Sequence, residues 1–149
     1  MIRECRSHVF CWHKNGVYHQ NYFMNLISTK LHGVLDYVVG FTLIASPWLF
    51  GFARGGVETW VPVSQGTAAV LYSLLTNYEM GVARYISMRI HLVLDLIAGA
   101  LLAFSPWIFG FSDYVWAPHL IIGLLELIVV SLSVSVSGTE VKHRELSRY

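Results

Sequence analysis

The segment ISTKLHGVLDYVVGFTLIASPWLFGF, residues 27–52, returns 59 positions later as ISMRIHLVLDLIAGALLAFSPWIFGF, residues 86–111, with 14 of 26 aligned positions identical. Each copy is a mostly apolar run close to the roughly 20 residues that cross a bilayer as a helix. Each carries a His and an Asp four residues apart near its start, His32 with Asp36 and His91 with Asp95, and each ends in Ser-Pro-Trp. The segments that follow also begin alike, Trp60-Val61-Pro62 and Trp116-Ala117-Pro118, so the duplicated unit is a pair of helices rather than a single one. A chain built this way is constrained to place two similar apolar hairpins, each with one buried-looking polar pair, in the same structure.

Charged residues make up 13% of the chain and hydrophobic residues 55%, against about 25% charged in soluble domains. That is a membrane composition. The length of 149 residues leaves room for one domain with four spans and short connections. A net charge of +1, with scattered basic residues, gives no nucleic-acid footprint. Cys5 and Cys11 are too few for a disulfide framework. The first thirty residues carry Arg3, Glu4, Arg6, His8, His13, Lys14 and His19, and so lack the continuous apolar core of a signal peptide.

The expected fold class is all-α: a four-helix transmembrane bundle from two tandem helix-hairpin repeats in parallel orientation. Residues 1–26 form an N-terminal tail, either an interfacial segment or an extension ahead of a start at Met24. Its Cys5-x2-His8-x2-Cys11-x-His13 arrangement is tighter than zinc modules use, and no metal is assigned to it. Residues 27–80 form the first repeat, residues 86–137 the second, and residues 138–149 a polar tail. The spans are expected near Leu31–Phe52, Val61–Asn77, Ile90–Phe111 and Pro118–Ser137. Because the residue before a proline is pushed away from helical geometry, the main helix is expected to end or kink near Ala45. Ser46 would then cap a short surface turn; one longer helix kinked at Pro47 is the alternative. Span two is interrupted by Ser64, Gln65, Gly66, Thr67 and Ser73, small or polar residues that favour contact with protein. Gly99 and Ala103 offer a small pair in span three.

Orientation follows from Lys and Arg. One side of the four-span arrangement holds Arg3, Arg6, Lys14, Lys30, Arg84, Arg89, Lys142, Arg144 and Arg148, and the other only Arg54. The positive-inside rule then places both termini in the cytoplasm of a cell (inner) membrane protein. Trp48, Trp60, Trp107 and Trp116 fall at the outer boundary, where interfacial aromatics gather.

Two copies of His-x3-Asp leading into Gly-x5-Ser-Pro-Trp-x-Phe-Gly-Phe resemble the SPW repeat family of small prokaryotic integral membrane proteins. The resemblance covers roughly residues 27–137. It implies a membrane location and two repeats, and it implies no reaction.

His32 and Asp36 share a helix face, as do His91 and Asp95. If the hairpins run in the same direction, a pseudo-two-fold axis along the membrane normal brings both pairs to one depth. Ionisable residues in a span cost about 2.5–3.5 kcal/mol on insertion scales, so the pairs need partners. A cross-helix His-to-Asp bond pinning the repeats together is the expected arrangement. Glu126 lies deeper, where span two has Ala69, and a hydrogen bond to Gln65, Ser64 or Ser73 would reduce its penalty. The expected role is non-catalytic: a structural or accessory membrane subunit whose partners are the lipid bilayer and a second copy or larger complex. The alternative is a small proton- or ion-coupled conduit, or a haem- or metal-binding protein, using the same His and Asp groups. No hydrolase or phosphate-binding pattern occurs, and no cofactor is assigned. The candidate site residues are therefore His32, Asp36, His91, Asp95 and Glu126, with Ser46, Pro47, Trp48, Ser105, Pro106 and Trp107 as interfacial motifs.

Overall fold

In the computed structural model, residues 12–13, 16–17 and 26–135 are described. The polar C-terminal tail and most of the N-terminal tail, including Cys5, His8 and Cys11 of the tail pattern, lie outside the described residues. Within the N-terminal tail, β1 (Trp12–His13) pairs antiparallel with β2 (Gly16–Val17). The other described residues are all-α, with four helices: α1 (Thr29–Leu49), α2 (Val57–Leu75), α3 (Met88–Ile108) and α4 (Ala117–Leu132). Among the described helices, α3 is the one long and apolar enough to cross a membrane by length and composition.

The helices α1 and α3 begin alike because both are capped by serine. Ser28 and Ser87 accept from the backbone N–H of Leu31 and Ile90, satisfying donors that a helix start leaves without partners. Both helices then continue past their proline, to Leu49 and Ile108. This corrects the expected end at Ala45 in favour of the alternative, one longer helix that includes Pro47. The reason is in the preceding serine: Ser46 Oγ donates to the carbonyl of Leu43 at 2.9 Å, and Ser105 Oγ to that of Leu102 at 2.8 Å. Those are the carbonyls, four residues back, that Pro47 and Pro106 cannot reach for want of an N–H. Ser46 and Ser105 therefore repair a helix rather than start one.

Gly51 and Gly110 close the two helices with φ of +71° and +73°, the left-handed conformation that glycine adopts without penalty. The backbone N–H of Phe52 then folds back onto the carbonyl of Pro47, and that of Phe111 onto Pro106.

Contact is extensive within the pairs α1/α2 and α3/α4 and limited between them. Each pair closes on glycine. A Cβ at Gly66 would meet the carbonyl oxygen of Gly40, and one at Gly123 would meet the backbone of Gly99 and Ala103. The expected small pair Gly99 and Ala103 thus packs on Gly123.

The described α4 ends at Leu132 rather than near Ser137. There the chain changes partners: Ile27 N–H donates to Leu132 O and Val134 N–H to Ile27 O. The end of α2 does the same with Ile86, the residue before the Ser87 cap of α3, since Asn77 N–H donates to Ile86 O and Ile86 N–H to Leu75 O. Each pair's last turn is therefore stitched to the first residues of the other pair. At the opposite end the two connecting loops meet, with the Arg54 guanidinium 3.3 Å above the Tyr114 ring.

Candidate functional site: a buried His–Asp quartet

The i, i+4 spacing puts His32 and Asp36 on one face of α1, and His91 and Asp95 on one face of α3. The stitching of helix ends turns those faces toward each other. One ligand-type atom from each of the four residues lies within 4.8 Å of the others. His32 Nε2 is 3.3 Å from Asp36 Oδ1 and 3.1 Å from Asp95 Oδ2; His91 Nε2 is 2.9 Å from Asp36 Oδ2 and 3.1 Å from Asp95 Oδ2. Every imidazole therefore faces both carboxylates, one on its own helix and one across. Both histidines are at most 1% exposed. Their rings meet edge to face, with centroids 5.3 Å apart.

The outward nitrogens are held by hydroxyls. His32 Nδ1 is 2.8 Å from Ser133 Oγ, and His91 Nδ1 is 2.9 Å from Thr76 Oγ1. Ser133 already donates its hydrogen to Val129 O, and Thr76 donates its hydrogen to Tyr72 O. Each hydroxyl oxygen can then only accept from the ring, so Nδ1 of both histidines carries a hydrogen and Nε2 points inward. Tyrosines also hold the carboxylates. Tyr72 donates at 2.6 Å to Asp95 Oδ1, the oxygen that the imidazoles do not face, and Tyr78 donates at 3.2 Å to Asp36 Oδ2, the oxygen that His91 also meets. Tyr78 sits in the loop between α2 and α3 and is fully buried; burial pushes its hydroxyl above the ordinary range, which keeps it a donor.

Glu126 and three of the quartet, His32, Asp36 and Asp95, line the same small cavity of about 50 Å³, with Leu35, Val39 and Tyr72 among its walls. The hydrogen bond expected for Glu126 is not made: its Oε2 and both polar atoms of Gln65 are buried without a protein partner. Ser64 donates instead to Val61 O, and Ser73 lies toward Asp36 at 3.5 Å. Asp36 and Asp95 fill the space between the two imidazoles, and a 50 Å³ cavity is far smaller than a porphyrin, so the quartet leaves no slot for haem.

Sequence reasoning does not single out Thr76, Ser133, Tyr72 or Tyr78. One signal points to two of them. Glu58, Gln65 and Tyr72 fall seven apart along α2, and His119 and Glu126 on α4 fall seven apart with Ser133, just past its end, so the helical residues of each set share one face. His119 is a further residue that the sequence leaves unmarked. At the loop end its ring lies between Phe52 and Phe111, centroids 5.2 and 5.0 Å away, and its Nε2 is 3.1 Å from Glu58 O.

A family model, the SPW repeat domain, matches residues 30–133. The chain belongs to the SPW repeat family. No curated protein and no solved structure matches it. Both motifs that name the SPW repeat now have a local account. In each, the serine supplies the donor that the proline lacks, and the exposed tryptophan, Trp48 or Trp107, stands outside the bundle beside the loop. The phenylalanine that ends each motif, Phe52 or Phe111, packs on His119. The SPW ends thus close one end of the bundle while the His–Asp quartet closes the other.

Proposed function

We propose that this SPW repeat protein is a four-span inner-membrane protein, with its two hairpins oriented alike and tied together by the His–Asp quartet. In this reading it serves as a non-catalytic structural or accessory subunit. The observation that carries the reading is an inverted distribution of polarity. His32, His91, Asp95, Ser133 and Thr76 are buried in the centre, while Leu31, Val34, Val38 and Phe41 on α1 and Ile90, Val93, Ile97, Leu101 and Phe104 on α3 face outward. Apolar side chains at these spacings, on the outside of two helices, suit hydrocarbon as the solvent. The α4 helix rises only about 24 Å, short of a ~30 Å hydrocarbon core, and its stitch to Ile27 continues the backbone pairing beyond its end.

A non-catalytic role is supported by saturation. Each quartet side chain has its polar atoms engaged by neighbours, leaving no free nucleophile or base among them. Partners are the bilayer and either a second copy or a larger complex. The exposed, small and hydroxylic residues Ser64, Thr67 and Ala68 on α2 suit a helix contact in lipid. Reporter fusions after Arg54, after Ala83 and after Tyr149 test the topology. An external signal at the first and internal signals at the other two are expected; any other pattern overturns the four-span, termini-in arrangement.

A second reading, a proton-coupled conduit, is favoured by the partnerless Oε2 of Glu126 beside the cavity. Reconstituted vesicles with a pH-sensitive dye decide it. A proton leak abolished by Glu126→Gln, with the fold intact, would support the conduit; vesicles as tight as protein-free ones would remove it.

A further inference from the structure

We propose that the quartet is a binding site for one divalent transition-metal ion, with Nε2 of His32, Nε2 of His91 and one carboxylate oxygen each from Asp36 and Asp95 as ligands. The inference rests on the quartet being the tie between the hairpins, and it adds a ligand to that tie.

The first argument is convergence. Both Nε2 atoms lie 3.1 Å from Asp95 Oδ2, while Asp36 meets His32 through Oδ1 at 3.3 Å and His91 through Oδ2 at 2.9 Å, and one ligand-type atom from each of the four lies within 4.8 Å of the others. Around a tetrahedral ion with bonds of about 2.0–2.1 Å, neighbouring ligand atoms lie about 3.3 Å apart. Placing an ion there draws the four ligand atoms in from their present separations of at most 4.8 Å and turns the Asp36 carboxylate so that one oxygen faces both imidazoles.

The second is the state of the ligands. A metal-binding histidine characteristically gives its other ring N–H to an oxygen, which fixes the tautomer and aims the lone pair. Here the Nδ1 hydrogens of both rings are given to Ser133 and Thr76, whose own hydrogens are committed to Val129 O and Tyr72 O. Tyr72 holds Asp95 through the oxygen turned away from the imidazoles, and Tyr78 holds Asp36 through Oδ2. Side-chain hydrogen bonding on both sides therefore presents two imidazole nitrogens and two carboxylates inward.

The third is charge. Two neutral imidazoles, two carboxylates and a 2+ ion sum to zero, so an ion at this centre leaves no uncompensated charge in a low-dielectric interior. A set of two nitrogens and two oxygens without thiolate suits Zn²⁺, Co²⁺, Fe²⁺ or Mn²⁺. It falls short of the six to eight oxygens that Ca²⁺ takes. The adjoining cavity of about 50 Å³ has room for water as a further ligand, with the partnerless Glu126 Oε2 to receive its hydrogen bond.

The test uses the full chain in detergent, stripped with a chelator and titrated with Co²⁺ and then Zn²⁺. One Co²⁺ per chain, with the visible absorption of tetrahedral cobalt and its loss on adding Zn²⁺, is the expected result. His32→Ala and His91→Ala should abolish the absorption. Because those variants could unfold, Thr76→Val and Ser133→Ala provide a milder measurement, and about 10–100-fold weaker binding is expected from losing the Nδ1 partner. Replacing Cys5 and Cys11 by Ser should leave uptake unchanged. A folded chain that takes up no stoichiometric ion overturns the metal site and leaves the hydrogen-bonded tie standing. Uptake lost with the cysteines, or equal in the histidine variants, also overturns it. Failure of the tie itself would appear instead as unchanged stability of the metal-free chain when the quartet is broken.

Discussion

The hydroxyl of Ser46 donates to the carbonyl of Leu43, the oxygen that Pro47 leaves without its helical partner. Leu43 is almost fully buried, so without that donor its carbonyl would stand unpaired where water cannot reach it. Ser105 stands in the same relation to Leu102 and Pro106. The Ser-Pro pair is thus a single unit: the proline removes a donor and the serine, one residue earlier, restores it.

Ser46→Ala is accordingly expected to destabilise the protein by about 1–3 kcal/mol, the range for a buried group left unsatisfied. The double change Ser46→Ala with Pro47→Ala should recover most of that loss, because alanine in place of the proline brings back the backbone N–H. Reversible denaturation of the four members of this cycle measures the coupling. Additive effects of the two changes would remove the proposed relation.

Breaking the quartet at one member is expected to be worse than deleting it. Asp95→Leu alone leaves two imidazoles and Asp36 without their counterpart and should cost about 3–5 kcal/mol. Replacing His32, Asp36, His91 and Asp95 together by Leu, with Tyr72→Phe and Tyr78→Phe to remove hydroxyls that would lose their acceptors, should restore a folded protein. Thermal denaturation by circular dichroism compares the two. A single variant as stable as the wild type would show that the cross-pairing does not hold the hairpins.

Two glycines predict opposite sensitivities. A Cβ at Gly66 meets backbone of α1 that cannot move aside, so Gly66→Ala should cost about 1–3 kcal/mol by overpacking. A Cβ at Gly51 meets nothing within 4 Å, and Gly51→Ala should cost about 1–2 kcal/mol, the strain of a left-handed residue alone. Cross-linking between α1 and α2 should change for the first and not for the second. If Gly51→Ala alters the helix contact, the loop is doing more than turning the chain.

The raised Tyr78 hydroxyl sets an alkaline limit. A group whose folded pKa exceeds its unfolded value contributes stability that is present below the unfolded value and lost as pH rises toward the folded one. The wild type should therefore lose stability above about pH 10, the ordinary tyrosine value. Tyr78→Phe should be less stable at neutral pH, for want of the bond to Asp36, yet fall less steeply above it. Denaturation midpoints measured across that range check the slope; parallel curves for the two proteins would exclude Tyr78 as the group involved.

Much of this architecture is legible in the chain itself. Four apolar segments, their pairing into two similar units and the face shared by each His and Asp all follow from periodicity and from the recurrence at 59 residues. The Ser-Pro step misleads because the preference of pre-proline residues and the capping habit of serine both describe a helix end. Nothing local marks the third course, a serine bonding backward to the carbonyl three residues earlier. The partners of the quartet are harder to see. Thr76, Ser133 and Tyr78 lie at helix ends and in a loop, where composition says little, and Tyr72 reads as one more aromatic on an apolar helix.

Local covalent geometry and solvent preference act on neighbouring residues, so the sequence by itself determined where helices form, that they come in similar pairs and which side chains would be costly to leave alone. Which Nε2 faces which carboxylate, and that a tyrosine from α2 steadies Asp95 while Glu126 Oε2 stays without a protein partner, depends on how each helix is rotated and where its end docks. Only the tertiary structure decided those. Rotation is set by the close backbone contacts of Gly40 with Gly66 and Gly99 with Gly123, and docking by the stitches at Ile27 and Ile86, all of them contacts between residues well separated in the chain.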